Sequence, residues 1–267
     1  MNIYGVMGDP VEHSLSPPMH AAAYESTGVE ATYLRFRVEE GNVNEAVHGA
    51  SALSIDGLNV TVPHKGTVAA LPSVELDETA ERIGAVNTLV FDVEGEEDSE
   101  GGEEDDAEDT VARGYNTDAS GALRALERKT EVGGKKVVLV GAGGAARAIA
   151  FALAGEGATV DIVNRTVERA EKLADEVNEA VGNTDDTDAD ELDEEISDVG
   201  GDEETKTATA QPLDALEDVV PDADIVINAT TVDGAWMLVY QGAEAFEIWT
   251  GKTAPVEKMN AALREKL

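Results

Sequence analysis

The chain of 267 residues contains no cysteine, which removes disulfides, thiolate metal sites and cysteine nucleophiles together. Aromatic residues are scarce, at 4%, so any core must be built from aliphatic, alanine and glycine side chains. Basic residues are scarce as well: 19 Lys and Arg stand against 56 Asp and Glu, a formal net charge of -37. A surface of that sign repels phosphate backbones and anionic headgroups, which excludes nucleic acid and basic-patch membrane attachment as expected partners. No apolar run approaches the roughly 18 residues of a membrane span. The start, MNIYGVMGDP, lacks the basic and apolar regions of a secretory signal. A soluble, cytoplasmic protein is expected. The 42% of hydrophobic residues are too many for a wholly disordered acidic chain, and the length suits two modest domains.

The charge is unevenly spread. Residues 92–110 hold 12 acids and no base, and residues 182–207 hold 12 acids and one lysine, so the other 222 residues carry -14. Both tracts are rich in Gly, Ser and Thr, lack hydrophobic periodicity and interrupt segments that look folded, so they read as solvated insertions. A specific cation-binding role is the alternative. Acids also decorate the remaining helices, a pattern that fits a salty cytoplasm able to screen the self-repulsion.

Alternation of strand and helix runs through the chain. Strands are expected at 1–7, 32–38 and 57–62, with helices near 18–26 and 43–53. From residue 135 the pattern sharpens: strands at 135–140, 159–163, 205–211 and 224–229 alternate with helices at 145–154, 167–181 and 213–219. Two more helical stretches follow at 237–246 and 255–267. This βαβ punctuation predicts an α/β protein with parallel sheet and helices on both faces.

Gly141-Ala142-Gly143-Gly144-Ala145-Ala146 matches G-x-G-x-x-[GA] directly after an apolar strand and at the opening of a helix. In that context Gly141 permits the tight turn, Gly143 lets the backbone approach a pyrophosphate, and Ala146 allows close helix–strand packing. The free N–H groups of the helix then face the phosphates. A structural glycine turn is the alternative reading. The next strand ends in Asn164-Arg165-Thr166, with Arg169 a helical turn further on, where an NAD site would carry an acid. Two guanidiniums and a hydroxyl suit a 2′-phosphate, so NADP(H) is the expected cofactor. Pairing of both arginines with neighbouring acids is the competing explanation.

Four motifs precede this segment: GDPVEHSLSPPMH at 8–20, NVTVPHK at 59–65, GAVNT at 84–88 and GYNTDASG at 114–121. Each gathers hydroxyl, amide, ammonium or carboxylate groups beside Gly or Pro turns, where a small polar ligand is held. Turn formation and helix capping account for part of the same composition. The four histidines, at 13, 20, 48 and 64, match no zinc spacing, so no metal is expected.

In this order, and ahead of GAGGAAR and NRT, the motifs resemble the shikimate dehydrogenase family over nearly the whole chain outside the acidic tracts. The resemblance implies an α/β substrate domain and a Rossmann-type doubly wound NADP domain. It also implies NADPH-dependent reduction of 3-dehydroshikimate to shikimate in aromatic amino-acid biosynthesis, by a monomer or homodimer. Carried over by position, Ser14 and Ser16 hold the substrate carboxylate, and Thr61, Asn87 and Gln241 bind its hydroxyls. Lys65 and Asp118 flank the reacting C3 oxygen. The substrate domain is expected over 1–117 and 236–267, and the NADP domain over 118–235.

One departure stands out. After the strand ending at Ala229, the family pattern continues with a further strand, which brings a tyrosine for the substrate carboxylate, and a helix. Here Thr230-Thr231-Val232-Asp233 runs straight into the GAWMLVYQ segment at 234–241, so one strand–helix unit of roughly 40 residues is missing. Tyr240 belongs to another motif and is no replacement. A catalytically impaired NADP-binding relic or regulatory protein, an acidic scaffold, and a quinate/shikimate dehydrogenase are the competing functions.

Overall fold

The computed structural model describes residues 1–91, 110–182, 206–229 and 235–267. The acidic tracts expected at 92–110 and 182–207 lie almost wholly outside these residues, as does the junction at 230–234. In chain order the elements are β1 (Asn2–Gly8), α1 (Ser16–Thr27), β2 (Ala31–Arg37), α2 (Val43–Ala52), β3 (Gly57–Val60), α3 (Lys65–Ala69), β4 (Val74–Leu76) and α4 (Glu78–Ile83). They continue with β5 (Thr88–Val90), β6 (Ala112–Tyr115), α5 (Thr117–Glu127), β7 (Lys136–Val140), α6 (Gly144–Gly155), β8 (Thr159–Asn164) and α7 (Val167–Gly182). The last are β9 (Ala208–Pro212), α8 (Leu216–Val219), β10 (Ile225–Asn228), α9 (Ala235–Thr250) and α10 (Val256–Arg264). Two compact units result, Met1–Ala125 with Gly234–Leu267, and Leu126–Asp233.

The first unit is built on a six-stranded sheet of order β2-β1-β3-β5-β6-β4. Alternation along β1 sends Tyr4 and Val6 into one apolar cluster, with Met19, Tyr24, Phe246, Met259 and Leu263 of α1, α9 and α10. Met7 goes to the other, with Val43, Val47, Leu58, Val60 and Leu89. Both faces of the strand are thereby covered, which the period of 2 requires of a buried strand. The sheet is not wholly parallel: β5 runs antiparallel to β3 and to β6. After β3 the chain spends β4 on pairing with β6 and returns in the opposite sense, and antiparallel neighbours need no crossover helix.

The second unit carries a four-stranded sheet of order β10-β7-β8-β9, parallel throughout. Val137, Val138 and Leu139 of β7 are fully buried, each contributing about 1.5–3 kcal/mol by its removal from water. In α7 the buried residues Ala170, Leu173, Ala174 and Val177 recur at helical spacing. The strand order is that of the doubly wound dinucleotide fold, 3-2-1-4, stopped after its fourth strand. Among the described residues β10 is an edge strand, and its Val226 is 51% exposed.

The division between units falls after Ala125, not at residue 118 where the sequence placed it. The cause lies in α5. A Cβ at Gly121 would stand 2.8 Å from the backbone nitrogen of Gln241, and Ser120 hydrogen-bonds Glu244, so the first two turns of α5 are packed against α9.

Candidate active site

The first unit brings Lys65 and Asp118 together from 53 positions apart: the lysine Nζ donates to Asp118 Oδ2. Their side chains are 19% and 8% exposed, so the pair is largely withdrawn from water. Each is fixed by its backbone. Lys65 opens α3, with His64 before it fully buried and its Nε2 2.6 Å from the Val38 carbonyl. The Lys65 carbonyl accepts from Val86 N at 3.0 Å, next to Asn87. Asp118 sits in the first turn of α5, which Asn116 caps by accepting from the backbone N–H groups of Asp118 at 3.1 Å and Ala119 at 3.3 Å. Asn116 Nδ2 in turn donates to the Ala85 carbonyl at 2.9 Å, tying α5 to the segment that bears Asn87.

Asn87 is buried in a polar cluster that the sequence reading did not assign. Its Oδ1 accepts from Thr117 N at 2.8 Å and from Thr88 Oγ1 at 3.1 Å, and its Nδ2 donates to Thr117 Oγ1 at 3.1 Å. Asn59 joins by donating to Thr88 Oγ1 at 3.1 Å and to the Asn87 carbonyl at 3.2 Å, and Tyr33 donates to Asn59 Oδ1 at 2.7 Å. A sequence signal existed for one member: Asn59 is a polar residue inside GLNV, a strand whose four positions are all buried.

Ser14 and Ser16 flank the entry to α1, and Ser16 N donates to Ser14 Oγ at 3.3 Å. Arg35 Nη2 holds the Ser14 carbonyl at 2.7 Å. Thr61 is half-buried just past β3, its N donating to the Met7 carbonyl at 2.9 Å. Gln241 is buried on α9 beside Gly121, one turn after Asp118 on the neighbouring helix, and its Nε2 is turned back on the Leu238 carbonyl at 2.9 Å. Tyr240 lies between Trp236, with ring centroids 5.6 Å apart, and Arg124, whose guanidinium is 4.7 Å from the ring centroid. Among the described residues no group of three or more His, Asp or Glu has the arrangement of a metal site, and no helix is long and apolar enough to cross a membrane.

In the second unit the glycine turn follows β7. Gly141 has φ +119°, a region that side chains avoid. A Cβ at Gly143 or Gly144 would meet no atom within 4 Å, so no protein neighbour requires glycine at these exposed positions. They leave open space at the N-terminus of α6, whose Gly143 cap supplies no side-chain hydrogen bond. Ala142 is half-buried and Ala145 exposed, while Ala146 is packed inside. A cradle bared of side chains over free N–H groups fits a pyrophosphate. At the end of β8, Asn164 Nδ2 donates to the Thr166 carbonyl at 2.8 Å and Arg169 N to the same carbonyl at 3.1 Å, which shapes the turn carrying Arg165, Thr166 and Arg169. All three are exposed. Among the described residues neither arginine forms an ion pair, so neighbouring acids there do not consume the two charges.

Comparison with known proteins agrees across the chain. The family model described as the shikimate dehydrogenase substrate binding domain matches residues 6–89. That of shikimate / quinate 5-dehydrogenase matches 124–200, and that of the shikimate 5'-dehydrogenase C-terminal domain matches 234–264. A shikimate dehydrogenase (NADP(+)) of Natronomonas pharaonis is 46% identical, with 100% of each chain covered. That alignment spans 291 positions against 267 residues here, so it opens gaps totalling at least 24 positions in this chain. A crystal structure of shikimate dehydrogenase in complex with NADP+ is 33% identical with TM-score 0.79, covering 100% of this chain and 96% of that one. The enzyme of Thermus thermophilus in complex with NADP(H) and shikimate is 28% identical with TM-score 0.74, each chain covered in full.

Proposed function

The chain belongs to the shikimate dehydrogenase family, and from that membership we propose that it reduces 3-dehydroshikimate to shikimate with NADPH. The observation that carries the reading of the site is the Lys65–Asp118 pair, built from two distant motifs and largely withdrawn from water beside the Asn87 cluster. NADPH, when bound, supplies the hydride. As C3 is reduced, negative charge develops on its oxygen; the Lys65 ammonium stabilises that charge and delivers the proton that completes the alcohol. Asp118 accepts one lysine N–H and so aims the others. Ser14 and Ser16 hold the substrate carboxylate, and Thr61, Asn87 and Gln241 its hydroxyls.

On the cofactor side, Gly141, Ala142, Gly143, Gly144, Ala145 and Ala146 shape the pyrophosphate cradle, and Asn164, Arg165, Thr166 and Arg169 hold the 2′-phosphate. The arginines, unpaired among the described residues, favour NADP(H) over NAD and thereby a shikimate over a quinate enzyme. The enzyme acts in the cytoplasm on a small molecule, as monomer or homodimer.

The test is NADPH oxidation with 3-dehydroshikimate in molar salt. Turnover that exceeds any with quinate and NAD supports the proposal. Protection of the fold by NADP+ without turnover overturns it in favour of the relic, and restoring a strand–helix unit after Thr231 then shows whether its loss is the cause.

A further inference from the structure

Three of the hydrogen bonds around Asn87 have a fixed direction. The Thr117 main-chain N–H can only donate, so the Asn87 atom 2.8 Å from it is the oxygen. The Asn87 carbonyl can only accept, so the Asn59 atom 3.2 Å from it is the nitrogen. Asn59 Oδ1 therefore faces Tyr33 at 2.7 Å as an acceptor, and the phenol must donate. Burial raises the Tyr33 pKa, so the donor proton stays in place at any working pH. Thr88 Oγ1 receives from Asn59 and stands 3.1 Å from Asn87 Oδ1 and 3.3 Å from Thr117 Oγ1, either of which can take its proton. The chain of contacts runs from Tyr33 through Asn59 to Thr88 and the Asn87 carbonyl, and all four residues are buried. At its far end His20, also buried, stacks on the Tyr33 ring with centroids 4.4 Å apart and planes 7° from parallel. At its near end Asn87 Nδ2 spends one hydrogen on Thr117 Oγ1. The other has no partner among the described residues.

We propose that Tyr33 is a positioning residue: by holding Asn59 against the Asn87 carbonyl and Thr88 it braces the Asn87 amide, whose Oδ1 the Thr117 N–H fixes, with its free N–H outward, so that this subsite selects a substrate oxygen able to accept a hydrogen bond. The inference rests on Asn87 touching a substrate hydroxyl, as argued above. Its reach goes beyond that contact. It fixes which partner donates, and it makes a residue on β2, two hydrogen-bonded side chains away, a determinant of substrate affinity.

Two isosteric substitutions test it in the full chain at molar salt. Asn87→Asp keeps the acceptor for Thr117 N and replaces the outward donor by an acceptor. It should raise the KM for 3-dehydroshikimate by at least about 10-fold while leaving the KM for NADPH unchanged. Tyr33→Phe keeps the ring and removes the hydroxyl, which also faces Ser16; the loss of about one hydrogen bond to Asn59 predicts a rise of about 5-fold in the same KM. In the Asn87→Asp background, Tyr33→Phe should add nothing, because the amide it braces is gone. Tyr33→Phe with an unchanged KM, or with the same effect in both backgrounds, overturns the bracing role. A normal KM in Asn87→Asp alone instead overturns the placement of Asn87 at the substrate, which distinguishes that failure from the first.

Discussion

The two units present their functional groups in opposite ways. In the first, Asp118, Asn87, Thr117 and Asn59 are buried and Lys65 half-buried, with Lys65 hydrogen-bonded to Asp118 and Asn87 to Thr117 and Asn59. In the second, Gly143 and Gly144 of the glycine turn are exposed and face open space, and Arg165 and Arg169 stand unpaired on the surface among the described residues. The first site is assembled by the protein, with each group in place before ligand arrives. The second is formed largely by what was left out, and its charges are satisfied when a phosphate arrives. Function and stability should therefore be coupled in the first unit and separable in the second.

Breaking the buried pair gives the largest effect. Lys65→Ala should lower kcat by about 10²–10⁴-fold. It should also lower Tm, because Asp118 is left as an uncompensated charge at 8% exposure. Adding Asp118→Asn removes that charge, and the double variant should regain much of the Tm without regaining activity. Steady-state kinetics and thermal unfolding in high salt decide it. If Lys65→Ala costs activity but no stability, the coupling argued for this unit is wrong.

The converse test is in the second unit. Arg165→Ala and Arg169→Ala should each raise the KM for NADPH by about 10-fold, the value of a charge-assisted hydrogen bond. The KM for NADH should not move. Because both side chains are exposed, stability in the absence of nucleotide should change by no more than about 0.5 kcal/mol. A large fall in Tm would mean that the arginines are structural after all.

The same contrast explains what could be read from sequence. The nucleotide unit was legible almost to the residue: a helix expected at 145–154 forms at Gly144–Gly155, and strands expected at 135–140 and 159–163 form at Lys136–Val140 and Thr159–Asn164. Its signals are local, since a glycine turn and helical periodicity each lie within a dozen neighbouring residues. The first unit was legible at its ends and opaque between 63 and 125. There β4 and β5 have three residues each and α3 five, too few to show a period. The Lys65–Asp118 pairing was expected from the family motifs. The chain of contacts behind Asn87 was not, because Tyr33–Asn59 and Asn59–Thr88 join residues 26 and 29 apart, and only the fold brings such partners together.

Burial without a partner in the first unit should appear as pH dependence. Both His20 nitrogens are buried and have no partner among the described residues, and burial lowers its pKa from 6.5 to about 3. Between those values the unfolded chain binds a proton that the folded one refuses. His20 therefore costs no stability above about pH 6.5 and progressively more as the pH falls towards 3, at about 1.4 kcal/mol per unit. His20→Phe removes that part of the slope and leaves the ring stacked on Tyr33. Denaturant unfolding of both proteins between pH 7 and about 4 measures the difference; parallel curves would place the histidine in contact with water.

The smallest effect comes from a half-buried carboxylate near the site. Glu244 on α9 hydrogen-bonds Ser120 on α5, two residues past Asp118, and its pKa is raised, chiefly by burial and against the pull of that hydrogen bond and of Arg124. An acid whose folded pKa lies above its unfolded value is best tolerated when protonated. Its unfavourable contribution is absent below the unfolded carboxylate range and grows as pH rises through the folded pKa. Glu244→Gln should then raise Tm by a degree or two at pH 7, with the gain vanishing near pH 4. Since α5 also carries Asp118, the variant separates two roles of this carboxylate. Unchanged kcat with a higher Tm makes Glu244 a residual strain between α5 and α9, whereas a loss of kcat at every pH would mean that its charge helps to hold Asp118 against Lys65.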